Sequence, residues 1–459
     1  MEVNPTIFRA YDIRGIIGKE LTPEFCEFLG KAYGTFMKRA GGEVVVIGRD
    51  SRESSLEFQQ NLIKGIISTG LGVIDIGLAL SPMLYFAVIF LDAAGGVNVT
   101  GSHNPSEYNG FKVVKKDAIP LDPEEIQRIR EIISKEDFLR DGGRIEAKDI
   151  VPAYFEKITE LIKLKRPLKI VIDSGNATAG AFAPRLFRRL GCEVIELYSE
   201  FDSSFPHHFP DPEMEKNLED LKQKVIEEKA DIGIGFDGDG DRVGFVDEKG
   251  KRYEADLILA ILARDLLSRH PGAKILFDVK CSKRLVVDIE KRGGVPVMYR
   301  TGHSFFKRKL KEEGILLGGE VSGHIFCAEG WHGFDDALVA AAKIVKIVSD
   351  GDKKFSEYFL DFPETLVTPE IKVPCADEVK FDVVSGLVRD FKKLYKVIDI
   401  DGARVEFDDS WGLVRASNTN PYLTLRFEAE NQEGFLRIKK IFKEALQNYP
   451  EVKLDNLLD

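Results

Sequence analysis

Three stretches of this chain share one plan, and that plan narrows what the chain can fold into more than any other feature. Residues 43–50 (Glu-Val-Val-Val-Ile-Gly-Arg-Asp), 168–174 (Leu-Lys-Ile-Val-Ile-Asp-Ser) and 274–280 (Lys-Ile-Leu-Phe-Asp-Val-Lys) are short apolar runs that close on polar residues. Runs of that length without polar alternation predict strands buried on both faces. Each is followed by a helical pattern and then by a second short apolar strand that runs into a glycine-rich polar loop, at 100–109, 237–242 and 318–324. In open α/β sheets ligands gather at the carboxyl ends of the strands, so three such units would each offer one loop to a shared cleft. The repetition lies in the layout more than in the residues.

With 459 residues and 44% hydrophobic composition the chain exceeds a single core, and its breaks divide it in four. An amphipathic helix expected near 123–136 ends in Gly142-Gly143, a second near 154–164 stops at Pro167, and a turn at Lys249-Gly250-Lys251 precedes another helix. These breaks set domains at 1–150, 151–251 and 252–366, the third closed by a helix at 335–348 and followed by a linker at 363–374. The remainder, 367–459, reads differently: a helix near 379–395, strands at 396–407, 412–416 and 423–427, then a helix at 433–448. Strands without alternating helices predict a small α+β domain with an antiparallel sheet.

The 65 basic and 76 acidic side chains leave a formal charge of −11, which gives no general footprint for nucleic acid or an anionic membrane. An anionic ligand would need a local basic pocket. Five cysteines (Cys26, Cys192, Cys281, Cys327, Cys375) lie far apart with no C-x-x-C pair, which argues against a disulfide scaffold and a zinc site and predicts a cytoplasmic location. The opening, Met1-Glu2-Val3-Asn4-Pro5, is unlike a secretory signal. The most apolar segment, 76–91, is broken by Gly77, Ser81 and Pro82 and reads as a strand followed by a buried helix, with Ser81 as N-cap and Pro82 at the first helical position.

Two of the loops carry chemistry of their own. Asp237-Gly238-Asp239-Gly240-Asp241-Arg242 places three carboxylates at alternate positions, with glycines that let the backbone turn around one centre. Hard oxygen ligands so arranged suit Mg²⁺ or Ca²⁺; the calcium-hand pattern fails because Arg242 takes its glycine position and both flanks read as strands. A solvated acidic turn is the plainer alternative. In the other loop, Gly101-Ser102-His103-Asn104-Pro105 presents a hydroxyl beside a histidine, although Asn-Pro turns are common and Ser102 could bond the local backbone. Lys112 is expected at the start of the strand leaving that turn.

Taken together the loops resemble the α-D-phosphohexomutase superfamily, and within it the phosphomannomutase/phosphoglucomutase group. Residues 100–105 resemble its phosphoserine loop, 237–242 its metal loop, 319–324 (Gly-Glu-Val-Ser-Gly-His) its sugar-specificity loop, and 415–421 (Arg-Ala-Ser-Asn-Thr-Asn-Pro) its phosphate-binding loop. The segments 8–15 and 300–305 are similar to family segments that line the cleft.

The resemblance implies three similar α/β domains with mixed sheets plus a C-terminal α+β domain with an antiparallel sheet, arranged around a central cleft. It implies an intramolecular phosphotransferase that interconverts hexose 1-phosphate and hexose 6-phosphate, with mannose or glucose as the sugar, hexose 1,6-bisphosphate as intermediate and activator, and sugar phosphates as the partners. Ser102 would carry the phosphoryl group and, with Asp237, Asp239 and Asp241, hold Mg²⁺. Lys112, Arg14 and His324 would lie near the exchanging proton, Lys112 first as the base with a pKa lowered by the metal and neighbouring cations, His324 second. Glu320 and Ser322 would bind sugar hydroxyls, and Arg415, Ser417, Asn418 and Thr419 the non-reacting phosphate. Arg242, His103, His303, Lys280 and Tyr11 complete the implied substrate contacts. A phosphoglucosamine mutase, a Mg²⁺-dependent phosphatase and a non-catalytic sugar-phosphate binder are the alternatives. The sequence leaves a homo-oligomer open.

Overall fold

The computed structural model describes residues 3–9, 12–417 and 421–454. Its first three sheets repeat one arrangement. In the first sheet Val44–Arg49 lies centrally with Gly72–Leu78 and Gly95–Val99 parallel on either side, and Tyr108–Lys115 returns antiparallel beside Gly95–Val99. In the second, Lys169–Asp173 is flanked in parallel by Glu193–Leu197 and Ile232–Phe236, with Val243–Asp247 returning antiparallel. In the third, Lys274–Asp278 is flanked by Val295–Tyr299 and Leu317–Gly319, with Ile325–Cys327 returning. All three sheets are therefore mixed. In each one the hairpin between the third and fourth strands of the unit carries the polar loop, so topology delivers the three loops at equivalent places, beyond the carboxyl ends of parallel strands. Strand Asp12–Ile16 adds to the first sheet antiparallel to Tyr108–Lys115, pairing Arg14 with Gly110 and Asp12 with Lys112.

Helix Ser81–Phe90 is buried along nearly its whole length, which is why it is apolar on every side. Its Leu84 and Tyr85 belong to a core that continues through Ile170 and Phe187 to Ile261 and Ala341, so the three units share packing. The N-cap is Leu80, one residue before the expected Ser81, and Pro82 stands second in the helix. Ser81 does not cap because its hydroxyl is drawn to Asp239, which it contacts directly.

Residues 366–429 supply a sheet that is antiparallel throughout, in the order Leu366–Val367, Tyr422–Ala429, Ser410–Ala416, Ala403–Glu406, Val397–Ile398. Ile371–Pro374 also pairs with Tyr422–Ala429. Helices Lys380–Phe391 and Gln432–Leu446 pack on it through Leu387, Phe391, Ile438 and Phe442. Two expectations need correction. The single strand 396–407 is a hairpin of two short strands, because Gly402 turns the chain at φ +89° with the carbonyl of Val414 2.2 Å from where a Cβ would stand. Much of the expected linker 363–374 is strand, since its two short segments find backbone partners along Tyr422–Ala429.

Asp336 caps helix Ala337–Asp350 by accepting the Val339 N–H at 3.0 Å, and accepts the Tyr154 hydroxyl at 2.9 and 2.8 Å. Burial pushes its carboxyl up to about 7 from 3.8. A carboxyl raised in the folded state contributes stability that is complete below its unfolded value and is lost as pH rises toward the folded value, here between about 4 and 7. Asp336→Asn keeps an acceptor for both donors and removes the titration. Its thermal stability relative to the parent is expected to improve from about pH 4 to about pH 7 and then to level off, and parallel stability curves would contradict this.

Candidate active site

The acidic hairpin joins Ile232–Phe236 to Val243–Asp247, and Asp237, Asp239 and Asp241 on it are fully buried. One carboxylate oxygen from each lies within 4.8 Å of the others. A Cβ on Gly238 would stand 2.2 Å from the carbonyl oxygen of Ser102, so glycine is required where the two loops cross. Burial, and then the charges of Asp241 and Asp239, hold the Asp237 carboxyl well above its ordinary range. Asp239 Oδ1 and Asp241 Oδ1 are buried without a hydrogen-bond partner. Crowded carboxylates with buried, unpartnered oxygens are what a hard divalent cation needs, so this donor set fits one.

Lys112 stands mid-strand in Tyr108–Lys115, four residues beyond the strand start where it was expected, and its ammonium contacts Asp241 Oδ2 and lies 2.7 Å from Asp239 Oδ2. Burial alone would lower its pKa, but Asp239 and Asp241 raise it well above the usual lysine value. The charges nearest to it among the described residues are thus carboxylates, which oppose the lowering expected from neighbouring cations. The Asp239 carboxylate is fixed further by the Ser81 hydroxyl, which itself accepts from Asn98 Nδ2 at 3.1 Å. Sequence reasoning took Ser81 for a cap and passed over Asn98.

Ser102 sits in the left-handed region at φ +50° and is 3% exposed. Its N–H donates to Thr100 Oγ1 at 2.9 Å, and its hydroxyl donates to Asp237 Oδ2 at 3.1 Å and lies 3.1 Å from His103 Nδ1. Burial, then Arg242 and Arg14, lower the His103 pKa well below the histidine range, so the ring is neutral. Arg14 is held by Asp12, with Nε donating to Oδ2 at 2.7 Å.

The third hairpin meets the second directly. Val243 N–H donates to the carbonyl of Gly323 at 3.2 Å, and Arg242 Nε donates to His324 Nε2 at 3.0 Å. That bond assigns the His324 proton to Nδ1, which lies 3.1 Å from Asp335 Oδ2 and 3.6 Å from Asp241 Oδ1. Asp335 is also 2.7 Å from Lys307 Nζ and 3.4 Å from His303 Nδ1, and the His303 ring stacks on His324 with centroids 5.4 Å apart. Burial, then Lys307, lower the His303 pKa well below the usual range. Glu320 Oε1 accepts the Gly302 N–H at 2.7 Å, and burial pushes its carboxyl up to about 7. Ser322 lies buried beside it on the same turn. Asp335 and Lys307 were missed in the sequence because Asp335 reads there as the start of a helix.

A second group of cations lies toward the C-terminal sheet. Lys280 is buried, contacts Glu370 and is 3.7 Å from Asp278 Oδ2. Glu370 is pulled down to about 2, because Lys280, Arg415 and Arg426 outweigh its burial. Arg415 Nε donates to Asp401 Oδ2 at 2.8 Å, and Ser417 N–H donates to the carbonyl of Tyr422 at 3.1 Å. Tyr11, Asn418 and Thr419 lie outside the described residues. The structure thus gathers Ser102, His103, Lys112, Arg242, His324, His303 and the three aspartates in one buried network, and sets Lys280 and Arg415 in another through Glu370. Arg242 reaches toward the second network through Glu213, whose Oε2 lies 3.4 Å from its Nη1 and whose carboxyl feels the charges of Glu370 and Lys280.

Comparison with known proteins gives this arrangement a class. Family profiles described as phosphoglucomutase/phosphomannomutase, alpha/beta/alpha domains I, II and III, match residues 5–140, 152–250 and 254–366, and the C-terminal domain of the same family matches 370–445. Phosphomannomutase/phosphoglucomutase of Pseudomonas aeruginosa is 46% identical over 443 residues, covering 96% of each chain. Phosphoglucomutase of Neisseria meningitidis serogroup A is 43% identical over 451 residues, covering 97% of this chain and 98% of that one. Among solved structures, a phosphoglucomutase/phosphomannomutase family protein from Burkholderia thailandensis superposes with a TM-score of 0.93 at 39% identity, over 98% of this chain and 99% of that one. The fold and its relatives define an intramolecular phosphotransferase of the mutase type. The chain belongs to the phosphoglucomutase/phosphomannomutase family.

Proposed function

We propose that the chain interconverts hexose 1-phosphate and hexose 6-phosphate, of mannose and glucose, with Ser102 as the phosphoryl carrier and a hexose 1,6-bisphosphate as both intermediate and activator. The observation that carries this reading is the buried Ser102 hydroxyl aimed at Asp237 from 3.1 Å, beside the cluster of three buried aspartates. Asp237, Asp239 and Asp241 would hold Mg²⁺ together with an oxygen of the phosphorylated serine. When bound, the ion supplies neutralisation of the negative charge on the phosphoryl oxygens.

The protein's own groups divide the remaining work. Lys112 and Arg242 offer fixed positive charge where phosphoryl transfer concentrates negative charge, and Arg14 stands near them. Lys112 is already committed to two aspartates, so His324 is the better acceptor for the sugar hydroxyl proton. Its Nε2 lone pair is released when a substrate phosphate offers Arg242 a stronger partner, while Nδ1 keeps its proton toward Asp335. His303, neutral and buried, and His103, neutral and half-buried, would donate hydrogen bonds without adding charge. Glu320 and Ser322 would bind the ring hydroxyls that coincide in the two orientations of the bisphosphate. Lys280, Arg415 and Ser417, with Asn418, Thr419 and Tyr11, would grip the non-reacting phosphate, and Lys280 and Arg415 would leave Glu370 and Asp401 to do so.

We read four domains, at 1–150, 151–251, 252–366 and 367–459, a division supported by the gaps between the four family matches. Among the described residues no helix is long and apolar enough to cross a membrane, and we place the enzyme in the cytoplasm, acting on free sugar phosphates. Phosphorus NMR with Mg²⁺, a trace of hexose 1,6-bisphosphate, and mannose 1-phosphate or glucose 1-phosphate tests the reading. The 6-phosphates are expected in both tubes. Free phosphate alone would indicate a phosphatase, and no change in either tube would refute the assignment of these sugars.

A further inference from the structure

Arg52 belongs to none of the four motif loops. It follows the first buried strand, in the turn Asp50-Ser51-Arg52, and is 5% exposed. Its guanidinium donates to four backbone carbonyls of the serine loop: Ser102 at 3.0 Å, Asn104 at 2.5 Å, Pro105 at 2.8 Å and Tyr108 at 3.0 Å. Asp50 backs it from the other side, with Oδ2 3.5 Å from Arg52 Nε. The same carboxylate accepts the N–H of Gly101 at 2.9 Å and that of Arg52 at 3.0 Å. The Phe205 ring lies 5.2 Å from the guanidinium carbon. The fit leaves no slack, since a Cβ on Gly101 would meet Arg52 Nε at 2.3 Å.

The loop needs such a partner. Where it crosses the acidic hairpin the Ser102 carbonyl is buried, and an irregular turn cannot satisfy its carbonyls by a regular ladder. Ser102 stands at φ +50°, a conformation that a residue with a side chain keeps only when its surroundings over-determine it. A planar fork of five donors can collect carbonyls lying in different directions; a point-charge ammonium cannot.

We propose that Arg52 is the positioning residue of the phosphoacceptor loop. By gathering four carbonyls on one cation it holds Ser102 left-handed and keeps its hydroxyl on Asp237, in the same place for either phosphate of the intermediate. Arg52 touches no substrate and acts through Ser102, so the catalytic part of the inference rests on the reading of Ser102 given above.

The test is Arg52→Lys, which keeps the charge. We expect kcat to fall by about 100-fold, the cost of an angstrom-scale misplacement, with KM for the sugar phosphate nearly unchanged. Amide hydrogen exchange across 100–108 should accelerate at least ~10-fold as local opening becomes easier, and the thermal midpoint should stay close to the parent value. Gly101→Ala pushes on the same contact from the loop side with Arg52 intact and should reproduce both effects; it decides the matter if Arg52→Lys does not fold. Parent-like exchange at 100–108, parent-like kcat, or a loss confined to KM would each overturn the proposal. A parent chain without mutase activity would overturn the reading of Ser102 alone, because hydrogen exchange reports the clamp whatever the reaction.

Discussion

Ser102→Ala is expected to lower kcat by about 10⁵-fold, the scale of losing a nucleophile that no neighbour can replace. The other hydroxyls nearby are already engaged: Ser81 is bonded to Asp239, and Thr100 Oγ1 accepts the Ser102 N–H. The expected loss falls on kcat, with KM nearly constant, because the groups proposed to grip sugar and distal phosphate sit on other loops. Thermal stability should hardly move, since the hydroxyl's described contacts are to Asp237 and His103 alone. Steady-state kinetics with a saturating bisphosphate activator checks this, and a variant within 100-fold of the parent would remove Ser102 from the reaction.

Lys112→Ala carries the second large effect, and it is expected in stability as well as activity. Lys112 is the cation between Asp239 and Asp241, each 0% exposed. Removing one partner of a buried ion pair strands the other charge and costs about 3–5 kcal/mol. In metal-free buffer the variant should therefore unfold at a markedly lower temperature than the parent. Mg²⁺, by binding carboxylates that have lost their other counter-charge, should stabilise the variant more than it stabilises the parent. Turnover should fall about 1,000-fold through loss of a preorganised charge at the transferring phosphoryl group. An unchanged melting temperature, or equal Mg²⁺ shifts in the two proteins, would show that Lys112 is not the counter-ion of this site.

What the sequence shows of this fold depends on whether a signal is local. Parallel strands buried on both faces must be apolar throughout, so 43–50, 168–174 and 274–280 declare themselves without any partner in view. The short strands at Leu366–Val367 and Ile371–Pro374 do not, because their stability comes from backbone bonds to Tyr422–Ala429, about 50 to 60 residues later, and their own residues read as a linker. The same holds at the site. Alternating aspartate and glycine mark 237–242 by themselves, but the contact that brings Asp237 to Ser102 spans 135 residues. Arg52, Asn98, Lys307 and Asp335 escaped notice because each is an ordinary residue in an ordinary element, distinguished by what lies beside it in space. Lys112 is legible from its place after the serine loop, but its two nearest charges, Asp239 and Asp241, lie more than 120 residues away and are not.

The central claim is that the phosphoryl group passes through Ser102, and intact mass spectrometry followed by peptide mapping tests it most directly. After treatment with glucose 1,6-bisphosphate and Mg²⁺, the protein should carry one phosphoryl group, on the peptide containing Ser102. Addition of mannose 1-phosphate should remove that group and transfer it to the sugar as the bisphosphate. A chain that turns over substrate while Ser102 stays unmodified, or that carries the group on another residue, would contradict the account.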